Sequence, residues 1–302
     1  MKILIAGYGS IGSRHARILK ELGAPVAVLS SREIEFKPNY RTLSEALRNE
    51  DPDYVVVANK TSEHFKFLKE LDASGFKGIV LMEKPVFYEK PSHQFKNFKG
   101  IYVAYNLRFH PLLLRLKELL AGESVISVQC YVGKYLPQWR PETDYKNSYS
   151  ARRNSGGGVL RDLSHELDYL NWMFGPYKRL TAAGGHLSDL EIDSDDIYCL
   201  MIEFEKCPIA TVQMNYLDRV PKREIVVITN KSTFKADLIK GTLEINEKTE
   251  KFSVELDSTY RLEHQAVLNG NFRSLCSYEE GMEVLRMIEA AEKASHQKVW
   301  VS

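Results

Sequence analysis

Three glycines near the start of the chain constrain its fold more than any other feature. Gly7, Gly9 and Gly12 follow a short apolar run and precede a helical pattern. In this G-x-G-x-x-G spacing the first glycine permits a tight turn, the second lets backbone approach a pyrophosphate, and the third allows close packing of helix on sheet. The helix N-terminus offers free N–H groups and the positive end of its dipole to an anion. The spacing therefore predicts a dinucleotide-binding turn, completed by Ser10 and Ile11, in preference to a glycine turn without a ligand.

Residues 1–104 alternate strand patterns with helical patterns. The predicted strands are Lys2–Ala6, Pro25–Ser30, Tyr54–Ala58, Gly78–Met82 and Gly100–Ala104. The predicted helices are Ile11–Leu22, Thr42–Asn49, Ser62–Gly75 and Pro91–Phe98. The strands are continuous apolar runs, which is typical of a parallel sheet covered on both faces. We therefore expect residues 1–104 to form a Rossmann domain, a doubly wound parallel sheet that binds the dinucleotide.

The pattern changes after residue 104. Helical patterns cover Pro111–Ala121, roughly 159–174 and Ser277–Ser295, and a strand is predicted at Val125–Val132. Segments with a period of two follow near 179–186, 196–205, 208–217, 222–230, 232–238 and 242–247, and a short strand closes the chain at Lys298–Val301. That period fits an antiparallel sheet with one covered face. Residues 105–302 are thus predicted to be an α+β domain on a largely antiparallel open sheet, used for substrate binding and self-association.

The composition agrees with an ordinary globular protein of two domains. At 302 residues the chain exceeds the size at which one hydrophobic core stops growing, about 250–300 residues. A net charge of +1 gives no reason to expect nucleic acid or an anionic membrane as partner. The cysteines are far apart and form no CxxC pair, so we expect reduced thiols. Without a signal-peptide h-region or an apolar stretch of about 18 residues, we expect a cytoplasmic location.

The end of the second strand bears on the choice of nicotinamide cofactor. NAD sites usually carry an acidic residue there, which bonds the ribose 2′-hydroxyl. This chain has Ser30, Ser31 and Arg32 instead. A guanidinium can pair with a 2′-phosphate, which a carboxylate would repel. The residues favour NADP(H), and NAD(H) stays possible if Arg32 is only a solvated surface arginine.

Two further segments carry residues suited to proton transfer. Lys84 follows the fourth strand in the sequence Glu83-Lys84-Pro85, at the edge where open α/β sheets bind ligands, although an exposed turn is an equal interpretation. Asp162 and His165 lie in a helical pattern after Gly156–Gly158, three residues apart and thus on one side. An imidazole beside a carboxylate suits acid–base work near neutral pH, but a histidine packed at an interface is the plain alternative. A zinc motif HExxH fails, because the fourth residue after His165 is Tyr169.

Taken in order, these motifs resemble the Gfo/Idh/MocA oxidoreductase family (glucose–fructose oxidoreductase, inositol dehydrogenase and relatives). The segments that carry the resemblance are the glycine turn, 58–64, Glu83-Lys84-Pro85, 105–111 and the glycine–histidine segment 156–168. The resemblance implies that Lys84 and His165, from separate domains, are the catalytic pair, and that the protein is a homodimer or homotetramer. It implies cofactor contacts from Asn59, Lys60, Thr61, His64, Glu83, Lys84 and Asn106.

The chain departs from the family pattern at two places. Arg161 stands where many members have an aspartate four residues before the histidine, which leaves open whether Asp162 takes that role. Asn59-Lys60-Thr61 replaces the usual Thr-Pro after the third strand, so the contacts to the cofactor can differ there.

The loop 135–158 is predicted to shape the substrate pocket. Its aromatic rings suit the C–H faces of a polyol, and its arginines suit hydroxyl, carboxylate or phosphate groups; a loop that packs its own aromatics is the alternative. The predicted substrate-binding residues are Lys84, Arg108, Tyr135, Trp139, Arg140, Tyr149, Arg152, Asp162 and His165. Together with the family resemblance they imply hydride transfer to or from a secondary alcohol or ketone of a sugar derivative, and the arginines extend the candidates to nucleotide-activated or acidic sugars. The loop resembles that of family members from surface-sugar pathways. Alternatives are a reductase of a biliverdin-type or imine compound, a non-catalytic nucleotide sensor, or a lyase or glycosidase that retains NAD.

Overall fold

The chain forms two compact units, and the computed structural model describes all residues from 1 to 302. The first unit comprises Met1–Phe109 and Leu256–Met282, and the second comprises His110–Glu255 and Glu283–Ser302. The sequence-based division puts everything after residue 104 into one domain, whereas residues 256–282 make their contacts within the first unit. None of the helices is long and apolar enough to span a bilayer.

The structure contains fifteen strands and eight α-helices. The strands are β1 (Ile3–Ala6), β2 (Val26–Leu29), β3 (Asn39–Tyr40), β4 (Tyr54–Val57), β5 (Ile79–Met82), β6 (Gly100–Val103), β7 (Val125–Gly133), β8 (Tyr177–Gly185), β9 (Ile197–Phe204), β10 (Cys207–Asn215), β11 (Lys222–Thr229), β12 (Thr233–Asp237), β13 (Thr242–Ile245), β14 (Lys248–Lys251) and β15 (Cys276–Ser277). The helices are α1 (Ser10–Glu21), α2 (Leu43–Glu50), α3 (Thr61–Ala73), α4 (Pro111–Leu119), α5 (Val159–Asp162), α6 (His165–Phe174), α7 (Ser258–Leu268) and α8 (Tyr278–Gln297).

The sheet of the first unit has the strand order β3-β2-β1-β4-β5-β6-β15. All neighbours are parallel except β15, which runs antiparallel to β6. The chain order reverses at β1, so the turns after β1 and β4 lie side by side at the topological switch point where such sheets bind ligands. The predicted Rossmann sheet is confirmed.

Apolar strands explain why this sheet is buried. Every residue of β1, β4 and β5 is buried, as expected for parallel strands covered on both faces. Helix α1 turns Ala16 and Leu19 toward the sheet, and Val267 of α7 joins the same core. Burial of these side chains holds the glycine turn between β1 and α1.

The second unit is built on an eight-stranded sheet with the order β14-β13-β12-β11-β7-β10-β9-β8. Every pairing is antiparallel except that of β7 with β10, so the sheet is largely antiparallel, as predicted. Along the central strands buried and more exposed residues alternate. One face therefore carries the core and the other is open.

The predicted helix Pro91–Phe98 is wrong, because this segment has no helical residue. Its aromatic rings pack on one another instead: the ring centroids of His93 and Phe95 are 4.7 Å apart, and Phe95 also contacts Phe65 of α3. His93 and Phe95 are two residues apart, a spacing that does not bring side chains together on a helix. Tertiary aromatic packing overrides the local pattern.

The predicted helix over 159–174 is interrupted. It splits into α5 and α6 at Leu163 and Ser164, where Leu163 has φ −100° and ψ 24°. The Ser164 hydroxyl donates to the Arg161 carbonyl oxygen at 2.9 Å, a local bond that competes with the helical pattern. The premise that Asp162 and His165 share one side of a continuous helix is therefore wrong.

Other boundaries also differ from the prediction. The strands β3, β14 and β15 and the helix α7 were not predicted, since short or weakly patterned elements give little periodic signal. The predicted strand Lys298–Val301 is reduced to a single bridge between Val301 and Leu180.

Candidate functional site

The glycine turn is closed at two positions and open at the third. Gly7 has φ +98°, and a Cβ there would lie 2.6 Å from the backbone nitrogen of Asn59. A Cβ on Gly12 would lie 2.1 Å from the Gly7 carbonyl oxygen, so α1 packs on the turn as closely as backbone permits. A Cβ on Gly9 would meet only Nη2 of Arg32, at 3.8 Å. The turn thus leaves room at the position where backbone approaches a pyrophosphate.

The groups around this opening fit a dinucleotide. Gly9 is the N-cap of α1, no side chain caps the helix, and its first turn has no acidic residue. The first N–H groups and the positive helix end are therefore available to an anion. Next to the turn, Oδ1 of Asn59 is buried and has no hydrogen-bond partner within the chain. A buried acceptor of this kind suits a hydroxyl donor of a bound molecule.

Two guanidinium groups lie near the end of β2, those of Arg32 and of Arg41, which follows β3. The backbone N–H of Arg32 donates to the Ser30 hydroxyl at 3.2 Å, and Nη1 of Arg41 donates to the Ser30 carbonyl oxygen at 3.3 Å. Ser31, Arg32 and Arg41 are exposed, whereas Ser30 is buried. Arg41 follows β3 and was not singled out by the sequence, because only the pairing of β2 with β3 brings it here.

The turn after β4 leads into α3. Lys60 is the exposed N-cap of this helix, Thr61 is buried in its first turn, and no side chain caps it. His64 has no exposed surface, and its ring nitrogens face the carbonyl oxygens of Val86 at 3.0 Å and Asn59 at 3.3 Å. Burial lowers the pKa of His64. As a neutral ring His64 donates to one of these two carbonyl oxygens and packs between the two turns. It has no surface left for direct contact with a cofactor.

The turn after β5 carries Glu83 and Lys84. Glu83 is 8% exposed, with Oε1 2.8 Å from Nε2 of His15 and Oε2 accepting the Lys84 N–H at 3.2 Å. The Lys84 side chain is half-buried, and the Lys84–Pro85 peptide bond is cis.

Two predicted contact residues lie in the interior of the first unit. Nδ2 of Asn106 donates to the Thr259 hydroxyl at 2.7 Å. Arg108 is 1% exposed and pairs with Glu280 at 3.0 Å. The prediction that Arg108 binds substrate is wrong for this structure, because a buried guanidinium needs a fixed anionic partner and here finds it within the fold.

In the second unit, Asp162 is held by a tyrosine that the sequence did not indicate. Tyr216 is fully buried, which raises the pKa of its hydroxyl well above the usual value and keeps it a donor. That hydroxyl donates to Oδ2 of Asp162 at 2.6 Å. His165 begins α6 and is half-buried. Arg161 is buried and paired with Glu292 at 2.5 Å, so it is part of the framework.

The loop 135–158 is largely packed on itself and on the strand ends. Nε1 of Trp139 donates to the Lys134 carbonyl oxygen at 3.0 Å, and the Tyr149 hydroxyl donates to the Gly156 carbonyl oxygen at 2.6 Å. The Tyr135 ring lies under the Arg219 guanidinium at 3.4 Å, and Arg152 is 3.7 Å from Asp193. Arg140 is exposed and lines a small hollow together with Trp139, Thr143, Tyr145, Ser148 and Ser150.

One chain of contacts joins this loop to the predicted acid–base segment. The rings of Trp139 and Tyr216 pack at 87° to each other, with centroids 5.2 Å apart. Tyr216 in turn bonds Asp162, and its carbonyl oxygen accepts the Leu136 N–H at 2.9 Å. Asp168 is 1% exposed, so it belongs to the core of this unit.

The fold and the glycine turn together define a dinucleotide-binding protein with a Rossmann sheet. The NAD-binding Rossmann domain model of the Gfo/Idh/MocA oxidoreductases matches residues 1–99, and the C-terminal domain model of the same family matches residues 114–235. The chain therefore belongs to the Gfo/Idh/MocA oxidoreductase family.

Curated relatives match about half of the chain. The oxidoreductase sll0816 of Synechocystis sp. is 26% identical over 54% of this chain and 45% of its own length. The oxidoreductase YteT of Bacillus subtilis is 23% identical over 50% of this chain and 36% of its own length. The matched segments thus span less than half of either relative.

Solved structures share the fold over the whole chain. GenD2 from gentamicin A biosynthesis, in complex with NAD, has a TM-score of 0.80 at 23% identity and covers 100% of this chain and 95% of that one. Levoglucosan dehydrogenase with NADH and levoglucosan has a TM-score of 0.85 at 14% identity, covering 100% and 98%. The WlbA dehydrogenase of Bordetella pertussis with NADH and UDP-GlcNAcA has a TM-score of 0.78 at 17% identity, covering 99% and 98%.

Proposed function

We propose that this protein transfers a hydride reversibly between a nicotinamide dinucleotide and a secondary alcohol or ketone of a sugar derivative. The glycine turn carries the proposal: it is open at Gly9, beside an uncapped helix N-terminus and the unpartnered Oδ1 of Asn59. Family membership supports the oxidoreductase class.

Lys84 and His165 are the proposed proton-transfer pair. A bound nicotinamide supplies the hydride acceptor or donor. Nζ of Lys84 donates a hydrogen bond to the substrate oxygen, and the His165 ring takes up the hydroxyl proton as the C–H hydride leaves, returning it in the reverse direction. Asp162, oriented by Tyr216, is the supporting carboxylate.

We infer that NADP(H) is preferred over NAD(H). Ser30, Ser31, Arg32 and Arg41 lie near the end of β2, and positions 30–32, where an NAD site usually carries an acidic residue, hold none; the exposed Glu33 comes after them. This set suits a 2′-phosphate. The expected observation is a kcat/KM that is higher with NADPH than with NADH. GenD2, levoglucosan dehydrogenase and WlbA were solved with NAD or NADH. A kcat/KM with NADPH that is equal to or lower than that with NADH would contradict the proposed preference for NADP(H).

The substrate is proposed to be a nucleotide-activated or acidic sugar. Arg140 is exposed in the hollow of the loop 135–158, where it can pair with a carboxylate or phosphate, and Trp139 offers an aromatic surface. WlbA, whose structure contains UDP-GlcNAcA, and levoglucosan dehydrogenase support a sugar-like substrate class.

Replacement of Lys84 by alanine tests the proposed function. In Lys84→Ala, turnover of a nucleotide-sugar panel should fall roughly 10²–10⁴-fold, since the hydrogen bond from Nζ to the substrate oxygen is lost, while the glycine turn still binds the dinucleotide. His165→Asn should also lower kcat. Lys77→Ala is the matched control, because Lys77 is an exposed lysine just before β5, whereas Lys84 directly follows that strand. Unchanged turnover in Lys84→Ala would refute the role.

The same assays separate the alternatives. Cofactor binding without turnover of any carbonyl compound would indicate a nucleotide sensor. Turnover confined to a biliverdin-type or imine compound would indicate a non-sugar reductase.

We further propose that the protein is a homodimer or homotetramer of the cytoplasm. The open face of the second unit supports self-association, because Glu224 is the only charged residue in its central patch, which also includes Thr181, Cys199, Met201, Gln213 and Val226. Four free cysteines, three of them buried, fit a reducing compartment.

A further inference from the structure

Four buried side chains of the first unit form a continuous chain of hydrogen bonds that ends at the turn carrying Lys84. The Tyr54 hydroxyl is 3.0 Å from Nδ1 of His264, and Nε2 of His264 is 2.8 Å from Nδ1 of His15. Nε2 of His15 is 2.8 Å from Oε1 of Glu83. Tyr54, His15 and His264 have no exposed surface, and Glu83 is 8% exposed.

The direction of these bonds follows from the protonation of the two ends. Burial, and then the neighbouring His15, lower the pKa of His264 far below its usual value, so this ring is neutral and donates from one nitrogen only. Burial raises the pKa of Tyr54, so its hydroxyl keeps its proton. At the other end, Oε2 of Glu83 accepts the Lys84 N–H, and a carboxylate accepts on both oxygens.

One arrangement satisfies every atom. The Tyr54 hydroxyl donates to Nδ1 of His264, Nε2–H of His264 donates to Nδ1 of His15, and Nε2–H of His15 donates to Glu83. In such a chain each bond polarises the next, so the last donor to the carboxylate is strengthened. In the opposite arrangement Nδ1–H of His264 donates to the Tyr54 hydroxyl, and either Glu83 is a neutral acid or His15 carries a proton on both ring nitrogens. The Tyr54 proton then loses its acceptor.

We propose that His15 and His264 are positioning residues. They fix the Glu83 carboxylate and, through it, the Lys84 backbone, so that the Lys84 side chain, two residues after the end of β5, keeps one direction. This inference rests on the proposed role of Lys84. It assigns a function to two histidines from α1 and α7, elements far apart in sequence, neither of which touches a substrate in the proposal.

Other titratable groups surround the chain. The rings of Tyr260 and His15 pack at 78° to each other with centroids 5.5 Å apart, and the Arg14 guanidinium lies over the Tyr260 ring at 5.3 Å. Glu263 is buried in the same region and raises the pKa of Tyr54, after the larger effect of burial. His64 contacts the carbonyl oxygen of Val86, three residues after Glu83, and burial lowers its pKa.

Two amide substitutions at His15 separate positioning from mere packing. The amide of glutamine reaches the place of Nε2, and the shorter asparagine reaches only the place of Nδ1. His15→Gln therefore keeps a donor to Glu83, and His15→Asn loses it. We expect kcat to fall about 10–100-fold in His15→Asn, because a misplaced reacting group costs up to about 10²-fold. In His15→Gln most of kcat should be retained, with the dinucleotide Kd unchanged in both variants.

Several outcomes decide the matter. Equal kcat in the Asn and Gln variants, or losses of kcat that simply follow losses of Tm, would overturn the positioning role. If His15→Asn does not fold, the pair His264→Gln and His264→Asn gives the same comparison, since only the first keeps a donor to His15. His296→Asn, at an exposed histidine of α8, is the control and should match the wild type.

A readout without turnover separates this inference from the proposed function. In ¹⁵N-labelled wild-type protein without cofactor, NMR should show His15 and His264 as neutral rings with protected Nε2–H protons. A charged ring or an Nδ1–H tautomer at either position would overturn the arrangement even if Lys84→Ala is inactive. Full activity of Lys84→Ala would instead refute the function and leave the hydrogen-bond chain standing.

Discussion

At the scale of single residues, several buried histidines connect neighbouring segments as neutral rings. His64 joins two turns, His264 lies inside a hydrogen-bond chain, and His110 caps a helix; burial lowers the pKa of each. A neutral imidazole donates one bond and accepts one, so His264 can join two polar groups in an interior where a cation would be expensive. His64, which lies between two carbonyl oxygens, donates to one of them. A consequence is that acid should destabilise the protein through these residues.

His110 offers a clean test of this acid sensitivity. Its Nδ1 accepts the Leu112 N–H at the start of α4, and burial together with the charge of Arg223 lowers its pKa from 6.5 to about 4. Because the folded state binds this proton more weakly than the unfolded state, the contribution is complete above pH 6.5 and is lost as pH falls toward 4. His110→Asn keeps a capping acceptor but cannot titrate. Between pH 7.5 and 4.5 the wild type should lose ~2–3 kcal/mol more unfolding free energy than the variant.

Denaturant unfolding at the two pH values measures this difference. The other buried histidines are present in both proteins and cancel in the comparison. Parallel losses in wild type and His110→Asn would contradict the assigned pKa.

At the scale of elements, the glycines of the turn between β1 and α1 have two different roles: Gly12 is required for packing, and Gly9 leaves space for a ligand. Gly12 is needed for packing, because a Cβ would lie 2.1 Å from the Gly7 carbonyl oxygen. Gly9 has φ −87° and open space, so the fold alone tolerates a side chain there.

The substitutions Gly9→Ala and Gly12→Ala should therefore differ. Gly12→Ala should lower the unfolding free energy by about 1–3 kcal/mol or more, as overpacking does, and impair cofactor binding as well. Gly9→Ala should cost less than about 1 kcal/mol of stability, yet weaken dinucleotide binding about tenfold or more, since the methyl group takes the place of a phosphate. Thermal unfolding and fluorescence titration with NADPH check the pair. Equal binding in Gly9→Ala and wild type would show that no pyrophosphate approaches this turn.

Elements also show where local pattern fails. The helix predicted at Pro91–Phe98 gives way to an aromatic cluster, and the break at Leu163–Ser164 depends on a hydroxyl that bonds the preceding turn. In both places a tertiary or side-chain contact outweighs a helix propensity that is small per residue.

At the scale of the whole molecule, the open face of the second unit is the feature that bears on assembly. Met201 is 46% exposed in β9 and lies opposite Thr211 of β10, within a patch of small polar and apolar side chains. In a two-fold dimer the patch of one subunit contacts the same patch of the other. Any charged cluster would then be buried in two copies, and this patch has none.

A lysine at Met201 should disrupt this association. We expect Met201→Lys to convert the protein to monomers in light scattering after size exclusion, because two buried ammonium groups would meet near the axis. Leu187→Lys is the control, since Leu187 is 74% exposed in a loop outside the face. Cys199, the exposed cysteine of the four, should react with a thiol reagent in the monomer and be protected in the wild type. A monomeric wild type with a reactive Cys199 would contradict the proposal.

The sequence alone predicted what depends on local pattern. The glycine spacing, the continuous apolar strands and the alternation after residue 176 were enough for the Rossmann sheet and the largely antiparallel sheet, because strand burial imposes its period directly on the residues. The motifs at Gly7–Gly12 and Glu83–Pro85 were found because each is a short contiguous sequence next to the end of a strand.

Only the tertiary structure decided which polar residues are available to a ligand. Arg108 was predicted to bind substrate, but it is paired with Glu280 inside the fold. Other residues are placed at the site or next to it only by partners up to 249 residues away: Arg41, Tyr216, His15 and His264. The sequence pattern around a polar residue does not identify its hydrogen-bond partner. Whether the residue is buried depends on segments that come together only in the folded chain.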